Sequence, residues 1–260
     1  MYCLICTLGK SPPVVTETVD YLNRIRKLPD ELHLISSSDP EVMEGMVFLI
    51  EEAIKNRFGG KIEIVPHNMV EEKDIEDKTT LVKLMKKLRK LIEEIKQKNP
   101  NGEVYAMLSG GRKAEIVGFF SIAQIAGITK IFHVHSYSVS TINEKLERNR
   151  ALIKELAKTK KKTEFYKANK KTFDEICFPD PSTYKIVEIP VIPIGISYTN
   201  KLKETLREIR DNSPRWNDML KIGYSAEILD MLKINNFLDE VKGRLHLKES
   251  AKDILEILED

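Results

Sequence analysis

Five short apolar runs alternate with four helical patterns over the first 136 residues, and this alternation limits the possible folds more than any other feature of the sequence. The apolar runs are residues 2–8, 31–38, 61–67, 103–108 and 130–136, and the helical patterns are residues 14–26, 40–58, 79–98 and 114–126. Because alternating strands and helices with short connections require right-handed crossovers, they predict a mostly parallel sheet with helices on both faces. The predicted fold class is therefore α/β and doubly wound.

The most informative loop follows the fourth apolar run, where the sequence continues as Ser109-Gly110-Gly111-Arg112-Lys113 before a helical pattern begins. A glycine turn between a strand and a helix presents backbone N–H groups beside the positive end of the helix. Arg112 can bind two phosphate oxygens through its planar guanidinium, and Lys113 can approach as a mobile cation. The loop predicts a phosphate site, although glycines that only turn the chain beside solvated cations would give the same pattern.

A second loop, Gly9-Lys10-Ser11, follows the first apolar run. We expect Ser11 to be the N-cap of the next helix, with Pro12 at its first position. In a doubly wound sheet of order 3-2-1-4-5, strands one and four are neighbours whose chains leave in opposite directions. The two loops would then face each other across a crevice at the carboxyl ends of these strands, and this convergence favours an anion site over two unrelated turns.

Two common nucleotide sites are not supported by these loops. Asp39 follows the second strand, roughly where a nicotinamide dinucleotide needs a carboxylate for its ribose. However, the first loop has one glycine and two prolines in place of the Gly-x-Gly-x-x-Gly fingerprint, and the sequence contains no Gly-x4-Gly-Lys-Ser/Thr loop. We therefore expect no cofactor.

A basic segment separates the sheet region from the tail. Residues 145–171 contain 11 Lys and Arg against 3 Asp and Glu. This segment is either a solvated helix and loop or a basic flap over an anion, and Lys160, Lys161 and Lys162 are then its candidate site residues. A further apolar run follows at 184–194, and the two prolines within it favour an edge or linking strand over a central one.

Residues 198–260 predict two or three helices, a hairpin turned by a glycine and a closing helix, which is the outline of a winged helix-turn-helix. They carry 11 Lys and Arg against 13 Asp and Glu, and the predicted recognition helix contains Glu227 and Asp230. Because DNA-binding surfaces need positive charge to neutralise phosphates, we interpret this tail as a dimerisation or structural unit. The chain thus divides into a sheet domain (1–140), a basic helix, loop and linking strand (141–197) and a small winged-helix-like domain (198–260).

Composition limits the cellular setting. Of the 260 residues, 42% are apolar and 32% are charged, which is ordinary for a folded soluble protein. No apolar run approaches the ~20 residues that span a bilayer, and the N-terminus does not resemble a signal peptide. Three cysteines, few and odd in number, fit a reducing compartment. We therefore expect a cytoplasmic protein without membrane contact.

The sequence offers little for a metal ion. Cys3 and Cys6 form a Cys-x-x-Cys pair inside a predicted strand, but there is no second Cys or His pair at zinc spacing, so we interpret both as buried apolar side chains. His133 and His135 lie on the fifth strand, where we expect them to face opposite ways and not to share an ion. We therefore predict no metal in the functional site.

The N-terminal strand that ends in TLGKSPPVVTET and the fourth strand that ends in LSGGRK resemble the CARF (CRISPR-associated Rossmann fold) domain, specifically its standalone ring nuclease branch. The resemblance covers roughly residues 1–140 and depends on these two short motifs. It implies a Rossmann-like homodimer whose joined crevices bind a cyclic oligoadenylate made by a type III CRISPR complex. A winged-helix-like tail also occurs in relatives of this kind, some of which are transcription regulators.

The resemblance also implies a cleavage reaction that needs no metal. The ribose 2′-OH attacks the adjacent phosphate and leaves a 2′,3′-cyclic phosphate and a 5′-OH, so the protein must align these groups and stabilise the phosphorane. Ser11 and Lys113 are the expected catalytic residues: Ser11 positions the attacking hydroxyl or a phosphate oxygen, and Lys113 stabilises charge or protonates the leaving group. The residues expected to bind the ring, most simply cyclic tetra-adenylate, are Gly9, Lys10, Ser109, Gly110, Gly111 and Arg112.

Two alternatives belong to other function classes. A ribonuclease effector of the same broad family would carry an Arg-x4–6-His motif in a C-terminal helical domain, and the sequence lacks this motif after the sheet region. A regulator that senses cyclic oligoadenylate without cleaving it, and whose tail binds DNA, stays open. The winged-helix outline favours the regulator, whereas Ser11 and Lys113 favour the nuclease.

Overall fold

The computed structural model describes residues 1–37, 45–70, 75–128, 130–137, 139–191, 194 and 196–259, so Asp39 lies outside the described residues. Its main sheet has the order β3-β2-β1-β4-β5-β6. The strands are β1 (Tyr2–Thr7), β2 (Glu31–Ser37), β3 (Glu63–Val70), β4 (Glu103–Met107), β5 (Lys130–Ser136) and β6 (Tyr184–Ile189). The first five are parallel and β6 pairs antiparallel with β5. The predicted order of the parallel strands is confirmed, and the run after residue 184 forms the predicted edge strand.

Helices cover both faces of this sheet. The first four are α1 (Pro13–Arg24), α2 (Val47–Phe58), α3 (Lys78–Lys98) and α4 (Lys113–Ile125). Leu4 and Cys6 of β1 pack with α1 and α2, whereas Cys3 and Ile5 pack with α3 and α4. Because side chains alternate along a strand and both faces are covered, β1 must be apolar at almost every position. The predicted burial of both cysteines is confirmed.

The segment between β5 and β6 folds against α2. It forms α5 (Val139–Arg148), α6 (Arg150–Lys158), α7 (Lys162–Ala168) and α8 (Lys170–Cys177). These helices share a hydrophobic core with α2, in which the stacked rings of Tyr166 and Phe173 have centroids 5.0 Å apart. This packing favours a sheet-containing unit that ends after β6, whereas the boundary at residue 140 stays a prediction.

The cations of the basic segment make local contacts. Lys162 Nζ lies 3.5 Å from the centroid of the Phe48 ring, and Lys161 Nζ lies 3.1 Å from Glu164 Oε2. Lys170 likewise forms an ion pair with Asp174, one helical turn later. These contacts favour a solvated surface over a flap that closes on an anion.

The tail builds its own hydrophobic core from four helices and a hairpin. These elements are α9 (Ile196–Asn212), α10 (Trp216–Lys221), α11 (Ala226–Ile234), β7 (Leu238–Val241), β8 (Arg244–Leu247) and α12 (Glu249–Leu258). α12 also packs on α3: Ile257 enters the core between α3 and the sheet, and Lys78 Nζ lies 2.5 Å from Asp253 Oδ2. The predicted element order is present, while the winged-helix assignment stays a prediction.

A buried carboxyl group lies in α1. Glu17 is 1% exposed, and neither of its carboxylate oxygens has a hydrogen-bond partner among the described residues. Because burial disfavours the charged form, the pKa of Glu17 is raised from 4.5 to about 7. The folded protein therefore holds this group neutral at pH values where an exposed glutamate is ionised.

This shift predicts a pH-dependent stability. The pKa of Glu17 is higher in the folded state, so its contribution is complete below about pH 4.5 and is lost as pH rises to about 7, by up to ~3 kcal/mol. As pH rises between these values, we expect the free energy of unfolding of Glu17→Gln to fall less than that of wild type, as measured by urea unfolding. The exposed Glu256→Gln is the control. Parallel stability curves for wild type and Glu17→Gln would contradict the assignment.

Candidate functional site

The crevice predicted from the strand order lies where the loops after β1 and β4 touch. A side chain at position 9 would place its Cβ 2.8 Å from the backbone nitrogen of Gly111, closer than real Cβ atoms approach. A Cβ at position 110 would collide with the carbonyl oxygen of Thr7, and Gly111 has a positive φ of 89°. The three glycines are therefore required by backbone contact and by a left-handed turn. The structure brings the two predicted loops together.

A cavity of about 380 Å³ opens at this contact. Six of the eight predicted site residues line it, namely Gly9, Lys10, Ser11, Ser109, Gly110 and Gly111. The glycines of both loops, one lysine and two serines thus border the same space. This combination can hold an anion and can place a hydroxyl beside it.

The opposite wall comes from α5 and α6, which the sequence analysis did not assign to the site. It is formed by Asn143, Leu146, Glu147, Arg150 and Ile153, with Met46 beside them. Arg150 donates a hydrogen bond to Glu147. The spacing of Asn143, Glu147 and Arg150 predicts one polar helical face, but only the folding of this segment over α2 shows that the face points to the crevice.

Ser11 differs from its predicted local role. The N-cap of α1 is Pro12 and its first helical residue is Pro13, so the predicted Ser11 cap is wrong by one residue. Prolines have no backbone N–H, and Pro12 and Pro13 therefore remove two donors from this helix end. The Ser11 hydroxyl is not used to cap α1 and lines the cavity instead.

Arg112 and Lys113 lie at the start of α4, with exposed side chains that are not part of the cavity wall. The end of this helix is already occupied by the buried carboxylate of Glu115, whose Oε2 accepts the Arg112 N–H at 2.6 Å. A negative charge at a helix N-terminus is favourable, and here the protein supplies that charge itself. Glu115 thus takes the Arg112 N–H at this helix end.

The Ser109 hydroxyl joins β4 to β5. It accepts the Val134 N–H at 2.5 Å and lies 3.1 Å from His133 Nδ1. These contacts hold the hydroxyl in the sheet, so Ser109 contributes mainly its backbone to the cavity. The side chain fixes the position of the loop that follows it.

The prediction that His133 and His135 face opposite ways was wrong. Residues two positions apart share a face of a strand, and both side chains are exposed on β5. They nevertheless differ in their contacts: His133 lies against Ser109, and His135 packs edge-on against Tyr137, with ring centroids 5.1 Å apart. Within the described parts of the chain, neither histidine belongs to a group of potential metal ligands.

Lys160, Lys161 and Lys162, the candidates from the basic segment, do not line the cavity. Arg150 does, and it is the cation of this segment that reaches the site. The sequence pattern identified the charge of residues 145–171 but not the residue that uses it. A run of lysines has no periodicity that would tell which of them faces inward.

The comparisons with curated proteins and solved structures give only distant matches. No curated protein matches the sequence. Csm6 from Enterococcus italicus, bound to cyclic hexa-2′-fluoro-hexa-dAMP, aligns with 99% of this chain and 53% of its own at 14% identity and a TM-score of 0.47. VC1899 from Vibrio cholerae aligns with 99% of this chain and 66% of its own at 15% identity and a TM-score of 0.40. The chain thus spans less than two thirds of either structure, and such likenesses carry no functional argument.

No helix in the described residues is long and apolar enough to cross a membrane.

The family comparison is more informative. The family model of CRISPR-associated protein NE0113 matches residues 11–221, which include Ser11, the Ser109–Lys113 loop, strands β2 to β6 and the α5–α6 wall. This match confirms the CRISPR association and the CARF type that the two loop motifs predict. The chain therefore belongs to the CRISPR-associated protein NE0113 family.

Proposed function

We propose that this protein is a cytoplasmic ring nuclease that binds a cyclic oligoadenylate, most simply cyclic tetra-adenylate, and cleaves it without a metal ion. The observation that supports this most is the meeting of Ser11 and the glycine loop in one cavity. The family is CRISPR-associated, and the same two motifs resemble ring nucleases. Cleavage would end the signal that the ring carries in a type III CRISPR response.

The size of the cavity favours two copies of the chain around one ring. At about 380 Å³, it lies at the low end of the range for small-molecule sites and holds a nucleotide-sized part of a ligand. A ring of four adenylates needs a second such cavity. A two-fold axis through the ring would supply it and would give each copy the same contacts.

The proposed reaction is a transesterification within the ring. The ribose 2′-OH loses its proton as its oxygen bonds to phosphorus. The bond from phosphorus to the 5′-oxygen breaks, and the leaving 5′-oxygen gains a proton. Ser11 would align the attacking hydroxyl, and the Gly110 and Gly111 N–H groups would stabilise the phosphorane. Lys113 would need to turn its flexible side chain towards the ring to neutralise or protonate the leaving group.

The α5–α6 wall would complete the site. Arg150 would bind a phosphate as a charge-assisted donor. Glu147 would repel phosphate if it stood alone, but its hydrogen bond to Arg150 places it where it can accept from a ribose hydroxyl or an adenine amino group. The pair would thus distinguish a nucleotide from a simple polyanion.

The second candidate function is a sensor that binds the ring without cleaving it and regulates transcription through its tail. The helices and hairpin of α9–α12 favour it. Glu227 and Asp230 on α11 disfavour DNA binding, because they would face phosphates if α11 entered a groove. The nuclease is therefore preferred.

Single-turnover cleavage of labelled cyclic tetra-adenylate in EDTA tests the nuclease. We expect wild type to form a linear product with a 2′,3′-cyclic phosphate. Ser11→Ala and Lys113→Ala should each cut the rate by ~100-fold, the scale of losing one transition-state contact. Lys160→Ala, outside the cavity wall, is the control. Binding without cleavage by wild type, together with an operator complex tighter than ~10⁻⁸ M, would favour the regulator.

Ring binding tests the role of Arg150. Arg150→Ala should weaken binding by about 10- to 100-fold, because a hydrogen bond to a charged group contributes about 1.5–3 kcal/mol. The loss should shrink as salt rises, since screening weakens the wild-type contact. Glu147→Gln, which removes the opposing charge but keeps the shape, should bind at least as tightly as wild type. Equal affinities of Arg150→Ala and Lys162→Ala would exclude a direct contact.

Light scattering tests the dimer. We expect twice the chain mass of 29.9 kDa at micromolar concentration. The outer face of α4 carries Val117, which is 63% exposed, and Val117→Glu should shift the mass towards one chain. Val241→Glu, in the tail and 53% exposed, is the matched control. A shift caused by the control alone would move the interface to the tail.

A further inference from the structure

A cluster of three potential metal ligands lies at the amino ends of β1 and β2, away from the crevice. Cys3 Sγ is 3.8 Å from Glu31 Oε2, which is 3.1 Å from His33 Nε2. Cys3 is 1% exposed and His33 is 5% exposed. In the described residues this is the one group of three or more His, Cys, Asp or Glu whose donor atoms all lie within 4.8 Å of one another.

The sheet itself creates the cluster. Cys3 of β1 pairs with Glu31 of β2, and the alternation of side chains places His33 on the same face. That face is covered by α3, so three polar groups of different type meet beneath a helix in an otherwise apolar core. Buried polar groups need partners that compensate their desolvation, and a bound cation would be such a partner.

The distances fit a tetrahedral zinc ion. Zinc bonds of about 2.3 Å to sulfur and about 2.0–2.2 Å to nitrogen or oxygen give ligand-to-ligand distances of about 3.3–3.6 Å. The two measured separations, 3.8 Å for sulfur to oxygen and 3.1 Å for oxygen to nitrogen, lie within a few tenths of an ångström of this range. The third separation, from Cys3 Sγ to His33 Nε2, is at most 4.8 Å, so these two side chains would move towards each other around the ion.

We propose that Cys3, Glu31 and His33 bind a zinc ion that fastens β1 to β2. The mixture of thiolate, carboxylate and imidazole suits zinc, whereas magnesium and calcium take oxygen ligands. One thiolate and one carboxylate balance the two charges of the ion. The second Glu31 oxygen or a water takes the fourth position, since the Glu31 side chain is 19% exposed.

His67 of β3 supports this geometry from behind. His33 Nδ1 lies 2.9 Å from His67 Nε2, and the two rings stack with centroids 5.2 Å apart. If His33 binds the ion through Nε2, its Nδ1–H donates to His67. Metal-bound histidines commonly donate their second N–H to a neighbouring acceptor, which fixes the ring and its tautomer.

The ion would have a structural role and not a catalytic one. Five residues separate Cys3 from Leu8, where β1 has ended, and a strand rises by about 3.3 Å per residue, so the cluster is roughly 16 Å from the crevice. Removal of the ion should therefore weaken the attachment of β1 to β2 without removing any contact proposed for the cyclic oligoadenylate. This inference does not depend on the proposed nuclease activity.

Cobalt titration of the metal-stripped full-length chain tests the site. We expect one cobalt per chain, the visible bands of tetrahedral cobalt and a thiolate-to-cobalt charge-transfer band, with zinc displacing the cobalt. Cys3→Ser should lose the charge-transfer band, whereas Cys6→Ser, on the opposite face of β1, should keep it. A band that persists in Cys3→Ser, or octahedral cobalt in wild type, overturns the proposal.

Two further variants separate binding from folding. Glu31→Gln replaces a ligand with a neutral group of the same shape. Circular dichroism checks that this variant is folded, so that it can test the site even if Cys3→Ser does not fold. His67→Ala should weaken zinc by about 10- to 100-fold, the usual effect of losing a supporting partner. Zinc should raise the thermal midpoint of wild type and not that of Glu31→Gln. If wild type and Glu31→Gln bound zinc equally tightly and showed equal thermal shifts, the site would be refuted.

Discussion

The close approach of the β1 and β4 loops is the constraint on which the candidate site depends. Gly9 and Gly111 touch through their backbones, and the 2.8 Å that a Cβ would leave excludes any larger residue without movement. This contact forces both chains to turn away from the sheet in opposite directions. The cavity is the space that opens between them, and its floor is therefore backbone, which no side-chain rotation can close.

The two helix starts beside this floor differ in which of their backbone donors are used. Glu115 already satisfies the start of α4, and Pro12 and Pro13 remove donors from the start of α1. Under the proposed function, a phosphate would lie at the glycine loop, and Lys10 and Arg150 also line this cavity.

The sequence predicted those parts of the molecule that depend on local pattern. Strand order and both glycine loops follow from periodicity and from the position of Gly110 after an apolar run, and six of eight site residues line the cavity. Arg150 could not be identified, because its place depends on α5 and α6 folding over α2. The Ser11 cap failed since two adjacent prolines allow either to begin the helix.

Strand β1 takes part in both the cavity and the polar cluster. Its carboxyl end leads to Gly9, and its amino end carries Cys3. Its carboxyl end must hold Gly9 against Gly111 to keep the cavity, while its amino end pairs with β2 and β4 and makes the Cys3–Glu31 contact. A shift of β1 by one residue would reverse every side chain between the two faces. An ion bound by Cys3 and Glu31 would oppose that shift at the amino end of β1, because these two residues are partners in the register of β1 and β2.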